Sequence, residues 1–351
     1  MSNYRGFRAF NGKVSFLFDK KAVKKIGILF ILTALIFIIS AGLGGMAISP
    51  LTVLHVFTGG GTDMERLVVL NFRLPRIIIA LVAGMALAVA GGILQGMIKN
   101  PLASPDIIGI TTGAGAAVVG FLSIFSDKNH SLTVSIQWLP LAAFLGAILV
   151  GFTVYSLAWR NGVTPIRLVL IGIGISALMQ AMTTLLMILG PIYRASEASI
   201  WTTGSVSKAT WEQVWMILPW TAIFLLIAFI YSRDVNIQEL GEELAAGVGN
   251  AVQKNRLLLL LISTCLVAGA VAFAGGIGFI GLMAPHIARR LVGSSFGVLL
   301  PTSALIGGLL VMLADLLGRT LFSPIEVPAG VFTAAIGAPY FIYLLFRTKK
   351  R

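Results

Sequence analysis

"PRIIIALVAGMALAVAGGILQGM", Pro75 to Met97, is a twenty-three-residue run with one charge in its first turn and one amide near its end. Its length and apolarity match the roughly 20 residues that a helix needs to cross the hydrocarbon core of a bilayer. Ala80, Gly84, Ala88, Gly92 and Gly96 recur at every fourth position and so share one helical face. A stripe of small residues lets a second backbone approach closely, which is the main attraction available where lipid is as apolar as leucine. The stretch reads as a transmembrane helix built to pack inside a bundle. Gly109, Gly113 and Ala117 repeat the pattern, as do Gly330, Ala334 and Ala338.

The rest of the chain agrees. Of 351 residues, 57% are hydrophobic and 11% charged, against about 25% charged in soluble domains, and the mean hydropathy is +0.95. Uninterrupted apolar runs exclude a barrel, whose strands alternate over about ten residues. The expected fold class is an all-α integral membrane protein with about ten spans, at 26–46, 75–97, 106–125, 137–158, 166–189, 213–231, 257–275, 277–292, 299–318 and 328–346. The split at Ala274 to Phe279, "AGGIGF", is the weakest boundary. "AGGI" occurs at Ala90 to Ile93 and again at Ala274 to Ile277, in spans that run in opposite directions, as an inverted repeat requires.

The net charge of +13 would suit nucleic acid, but its distribution points to membrane orientation. Arg5, Arg8, Lys13, Lys20, Lys21, Lys24 and Lys25 precede the first span, and Arg347, Lys349, Lys350 and Arg351 follow the last. The positive-inside rule then puts both termini in the cytoplasm, and ten spans satisfy that. Threaded this way, nineteen of the 26 Lys and Arg residues lie inside; Arg66, Arg73, Arg76, Lys128, Arg194, Lys208 and Arg319 lie outside. The chain divides into a basic segment 1–25, one transmembrane domain 26–346 and a basic tail 347–351. A cleaved leader is disfavoured, because a charged stretch of 25 residues is long for the region that precedes the apolar core of a signal sequence. Cys265 stands alone within an apolar run, so it reads as a packing residue.

Catalytic groups are sparse. His55, His130 and His286 are widely spaced, and no HExxH pattern occurs. "NGKVS" (Asn11 to Ser15) and "TGGGTD" (Thr58 to Asp63) lack the rest of a phosphate-binding loop, so no cofactor or nucleotide site is expected on this chain. Asp315 is the one carboxylate well inside a span, and Arg319 four residues on offers it a helical ion pair. That scarcity argues against an ion-coupled secondary transporter, which needs ionisable groups at depth. Gln95, Gln180, Thr183, Thr184, Ser263, Thr264, Ser303 and Thr333 leave mid-membrane polarity that is neutral, suited to a polar path or to bonds between helices.

"RLPR" (Arg73 to Arg76), "QGMIKNPLASPDIIGITTGAG" (Gln95 to Gly115), "LGEELAAGVG" (Leu240 to Gly249), "GGIGFIGLMAPHIARRLVG" (Gly275 to Gly293), "LPTSALIGGLLVMLADLLGRTL" (Leu300 to Leu321) and "EVPAGVFTAAIGAPYFIYLL" (Glu326 to Leu345) occur in that order. Together they resemble the permease subunits of ABC importers for ferric siderophores, haem and cobalamin, over nearly the whole chain beyond its charged leader. The resemblance implies an inverted-repeat bundle of ten helices like that of the cobalamin importer permease, in a bacterial cytoplasmic membrane. It implies a second permease subunit, identical or homologous, a cytoplasmic ABC ATPase dimer that carries the ATP and Mg, and an extracytoplasmic substrate-binding protein. An iron–siderophore complex is the leading substrate, with cobalamin or haem as the alternative.

The same resemblance implies three sites. Arg73, Arg76 and Arg319 would receive acidic residues of the binding protein, or else anchor helix ends at headgroups. Within a coupling segment 232–256, Leu240, Gly241, Glu242, Glu243, Ala245, Ala246, Gly247, Val248 and Gly249 would seat in the ATPase. There Leu240, Ala245, Ala246 and Val248 supply an apolar face, the glycines a sharp end, and the carboxylates suit the first helical turn. Gln95, Asn100, Pro101, Ser104, Pro105 and Gln180 are candidates for the translocation path or inner gate.

Overall fold

In a computed structural model, residues 4–9, 14–127, 132–160 and 162–348 are described. Asn11, Lys13, Lys128, His130, Lys349, Lys350 and Arg351 lie outside them. A short hairpin, β1 (Tyr4–Ala9) antiparallel to β2 (Val14–Asp19), precedes the bundle, an addition to the all-helical expectation. Asp19 then caps α1 (Lys20–Gly42), its carboxylate accepting from the Lys21 N–H at 2.9 Å. The first span therefore starts six residues before the expected position 26, within the basic segment.

The remaining elements are α2 (Pro50–Phe57), α3 (Asp63–Arg66), α4 (Leu74–Ile98), α5 (Pro105–Ile108), α6 (Ile110–Ile124), α7 (Leu139–Ala158), α8 (Pro165–Leu189) and α9 (Ile192–Thr203). They are followed by α10 (Trp211–Ile230), α11 (Ser232–Glu239), α12 (Glu242–Gly247), α13 (Val252–Ala274), α14 (Ile280–Val292), α15 (Phe296–Thr320) and α16 (Ala329–Thr348). Among the described residues, seven stretches are long and apolar enough to cross a membrane. The other three expected spans correspond to the shorter helices α6, α14 and α16. "AGGIGF" is indeed a break: α13 ends at Ala274, and α14 begins at Ile280 after Phe279 adopts a left-handed φ of 67°.

Between α3 and α4 the chain does not stop but widens into a π-helical turn, Leu67–Arg73. Pro75 has no N–H and its ring crowds the preceding turn, and a wider turn relieves both. The small face of α4 works as expected against α15. A Cβ on Gly84 would collide with the Gly307 carbonyl, and Gly96 faces Phe296, so the two helices run antiparallel. A closer approach lies off that face, where Gly91 abuts Gly281 of α14. Gly113 of α6 meets Gly146 and Val150 of α7 in the same manner.

The interruption after α4 is more than a surface loop. Lys99 ends α4 in a left-handed conformation, Asn100 and Pro101 are exposed, and the Asn100 side chain accepts from the Leu102 N–H at 2.9 Å. Ser104 and Pro105 are then buried, Pro105 lying beside Gly281, which itself touches Leu87 in the middle of α4. The Asp106 carboxylate accepts from the Thr111 hydroxyl at 2.9 Å and from the backbone N–H of Phe279. The breaks at 99–109 and 275–279 thus meet inside the bundle, where irregular backbone is tolerated because protein surrounds it.

Candidate functional site: two ends of one helix

Arg76 and Gly96 mark the ends of α4, twenty residues and so about 30 Å apart, close to the hydrocarbon thickness of a bilayer. Near the first lie Arg73, Arg319 and their partners; near the second lie α11 and α12, since Gly96 faces Val235.

At the arginine end, the three guanidiniums expected on the surface are mostly buried, with 7%, 9% and 6% exposure for Arg73, Arg76 and Arg319. Arg73 donates to the carbonyls of Ala41 and Gly42, both at 2.8 Å, and to that of Met46. Arg319 donates to the Leu43 carbonyl at 2.9 Å and to that of Ser40. Two arginines from distant helices therefore satisfy the carbonyls that the last turn of α1 leaves unpaired, and place cations at its negative pole. The expected Asp315–Arg319 pair is present at 3.6 Å. The tighter partner of Asp315 is Arg76, whose Nε donates at 2.8 Å, while its Nη1 donates to Glu326 at 2.9 Å. Sequence reasoning missed both links, because 239 and 250 positions separate the partners. These groups border an open cavity of about 400 Å³ lined also by Gly44, Phe72, Ser207 and Lys208.

At the opposite end, α11 and α12 form an angled pair hinged at Leu240 and Gly241. α12 closes with a Schellman motif: the Asn250 N–H reaches the Ala245 carbonyl at 3.0 Å and the Gly249 N–H the Ala246 carbonyl at 2.9 Å. Gly249 takes φ +82°, which suits glycine. Glu242 caps less than it braces, accepting from the buried Arg256 of α13 at 2.6 Å, and Arg256 also donates to the Val163 carbonyl. Asp234 accepts from the side-chain amides of Asn250 at 2.9 Å and Asn255 at 2.7 Å. Arg289 pairs with Glu239 at 3.2 Å, and the Asn236 side chain accepts from the Phe296 N–H at 3.0 Å. The segment is consequently fastened to α13, α14 and α15 together.

The expected apolar face needs correction. Ala245 is fully buried, turned toward the protein, and cannot contact a partner. The outward side is a ridge of Leu240, Leu244 and Val248, which are 65%, 63% and 69% exposed. Leu244 and Val248, four residues apart, share one side of α12, Leu240 stands exposed at the break before it, and Leu244 was legible in "LGEELAAGVG" by its spacing from Val248. Glu243, Ala246, Gly247 and Gly249 are exposed, and a Cβ on Gly247 would meet nothing within 4 Å.

The path candidates separate. Gln95 is buried and donates to the Gly281 and Leu282 carbonyls, both at 3.3 Å, so it fastens α14 to α4. Gln180 instead lies on an exposed face of α8 with Gly174, Ala177, Ala181 and Thr184. A glutamine near the middle of a span is costly against lipid. Among the described residues no three His, Cys, Asp or Glu side chains cluster as a metal site.

Comparison with known proteins assigns this arrangement. The FecCD transport family matches residues 32–347. The siderophore transport system permease protein YfhA of Bacillus subtilis is 60% identical over 94% of this chain and 96% of its own length. The iron(3+)-hydroxamate import system permease protein FhuG of the same organism is 46% identical over 91% of this chain and 95% of its own. An inward-facing structure described as a metal-chelate type ABC transporter superposes with a TM-score of 0.82 at 29% identity, covering 93% of this chain and 99% of that one. With a helix at each of the expected span positions and a match along nearly its full length, this chain belongs to the FecCD transport family and is a multi-pass permease of the ABC importer type.

Proposed function

We propose that the chain forms, with a second identical or homologous permease, the membrane path for a ferric siderophore delivered by an extracytoplasmic binding protein and driven by a cytoplasmic ABC ATPase dimer. ATP and Mg belong to that partner, and no cofactor is assigned to this chain. The observation that carries the reading is the exposed Leu240, Leu244 and Val248 ridge on a segment braced to three helices. Exposed apolar surface on a rigid mount is what a docking partner requires. The relatives, named as permeases of siderophore and iron(3+)-hydroxamate transport systems, support a ferric siderophore as the substrate.

In this reading both termini and α12 face the cytoplasm, and the arginine end faces out, toward acidic side chains of the binding protein. The polar face of α8 around Gln180 lines the path or the contact with the second permease, while Ser104, Pro105 and Gln95 hold the α4–α14 junction beside it. Asn100 and Pro101 form the exposed inner end of that junction.

Two measurements test it. Cells with and without the gene, starved of iron, are given labelled ferric hydroxamates, ferric citrate, haem and cobalamin; uptake of a ferric siderophore should depend on the gene and on an ATPase able to hydrolyse ATP. Uptake of cobalamin or haem alone would overturn the substrate. Gly247→Trp, at a position where an added Cβ meets nothing within 4 Å, should abolish co-purification of the ATPase while the permease remains folded. Retained assembly and transport would remove the coupling assignment.

A further inference from the structure

Glu326 sits oddly. Its carboxylate is half exposed, yet it holds the outward Nη1 of Arg76, a guanidinium whose inner Nε is already neutralised by buried Asp315. Asp315 also serves Arg319, so both of these guanidiniums keep a buried carboxylate partner without Glu326. The cavity that Glu326 borders is lined by Arg73, Arg76, Arg319 and Lys208 with Glu326 as its one lining carboxylate, while Lys208 also reaches Glu197 at 3.2 Å. Such an excess of cations in a concave mouth attracts an acidic side chain from outside.

Glu326 also occupies a particular place in the chain. It lies between α15 and α16, where the Val327 N–H donates to the Gly318 carbonyl at 2.9 Å and so ties the connection back to α15. Immediately before it, Leu321, Phe322 and Ile325 are 60%, 57% and 70% exposed, an apolar surface beside the basic cavity. Three residues beyond it α16 begins, its Gly330 pressed against the backbone of Thr203 at the end of α9.

We propose that Glu326 is a displaceable internal carboxylate: it fills the outer donor of Arg76 in the free permease and gives way to an acidic side chain of the docked binding protein. The exchange leaves Arg76 paired throughout and frees the 321–327 connection from α4, so that docking is felt at the start of α16. This deepens, and rests on, the assignment of the arginine end as the docking surface. An exposed carboxylate suits the exchange because water solvates it once released, whereas Asp315 could not leave without stranding two buried cations.

The test uses the whole transporter, with its ATPase, in nanodiscs, and the cognate binding protein as the probe. Glu326→Gln keeps the shape of the side chain and removes the competing charge. Docking should tighten about two- to five-fold, the range expected for a partly exposed charge contact. The gain should fade at high salt, and ATPase activity without binding protein should rise. Lys208→Gln, at a side chain that is 82% exposed, should weaken docking at low salt and so reports on the docking surface separately. If Lys208→Gln weakens docking while Glu326→Gln leaves it unchanged or weaker, the displacement is wrong and the docking surface stands. If neither variant nor salt alters docking, the surface itself is wrong, and the proposal falls with it.

Discussion

The two ends of α4 dispose of charge and hydrocarbon in opposite ways. At one end, three arginines from α4, α15 and the turn before α4 are drawn inside and held by Asp315, Glu326 and the last carbonyls of α1. At the other, Leu240, Leu244 and Val248 stand in the open while charges beneath them are paired. Charge closes the chain on itself at the arginine end, because carbonyls at a helix C-terminus need donors. Apolar surface is left uncovered at the α12 end, where the segment is braced from behind.

The contrast can be broken by substitution. Asp315→Ala should have the largest effect: it strands the Arg76 and Arg319 guanidiniums in a buried site, at a cost of about 3–5 kcal/mol. Thermal unfolding in detergent should show it, and an unchanged midpoint would mean that water or lipid headgroups already satisfy those arginines. Leu240→Ala with Leu244→Ala should leave unfolding unchanged and weaken ATPase binding by about 1–2 kcal/mol per side chain, the truncation cost of a well-packed interface residue. Loss of stability instead would show that the ridge packs within its own chain.

Smaller effects sharpen the comparison. Glu242→Gln removes one partner of Arg256 but leaves the Val163 carbonyl, and Glu242 is half exposed. The expected destabilisation is about 1 kcal/mol or less, well below that of Asp315→Ala in the same assay. Lys208→Gln should be the mildest, reducing binding-protein affinity by under about 1 kcal/mol and only at low ionic strength, since screening acts over about 8 to 10 Å. Titrating docking against salt measures it.

Much of this was legible in the chain. The spacing of Gly84 and Ala88 foretold a close helix contact, and Gly307 of α15 supplies it. Asp315 and Arg319 announced their pair through an interval of four, and Gly249 announced the end of α12. "AGGIGF" announced a break, though not that Asp106 would hold its Phe279 N–H. "KNPLASPD", Lys99 to Asp106, read as lying near the inner gate and path, without a sign that Lys99, Asn100 and Pro101 would stay exposed while Ser104 and Pro105 return into the bundle. Gln95 read as a path residue or as a bond between helices, and its amide donates to two carbonyls of α14.

What the sequence determined by itself is everything that repeats at short intervals: apolar runs long enough to span, small faces at every fourth residue, helix ends marked by Gly and Pro, and a bias of positive charge. These features depend on neighbours within one or two turns, so the order of residues suffices. The tertiary structure alone decided which cation met which anion and which side of α12 faced outward. Arg76 finds Asp315 and Glu326, Arg73 and Arg319 find the end of α1, and Ala245 turns inward while Leu244 turns out. Those choices depend on where helices far apart in the chain come to rest, and no local interval encodes a distance of 239 residues.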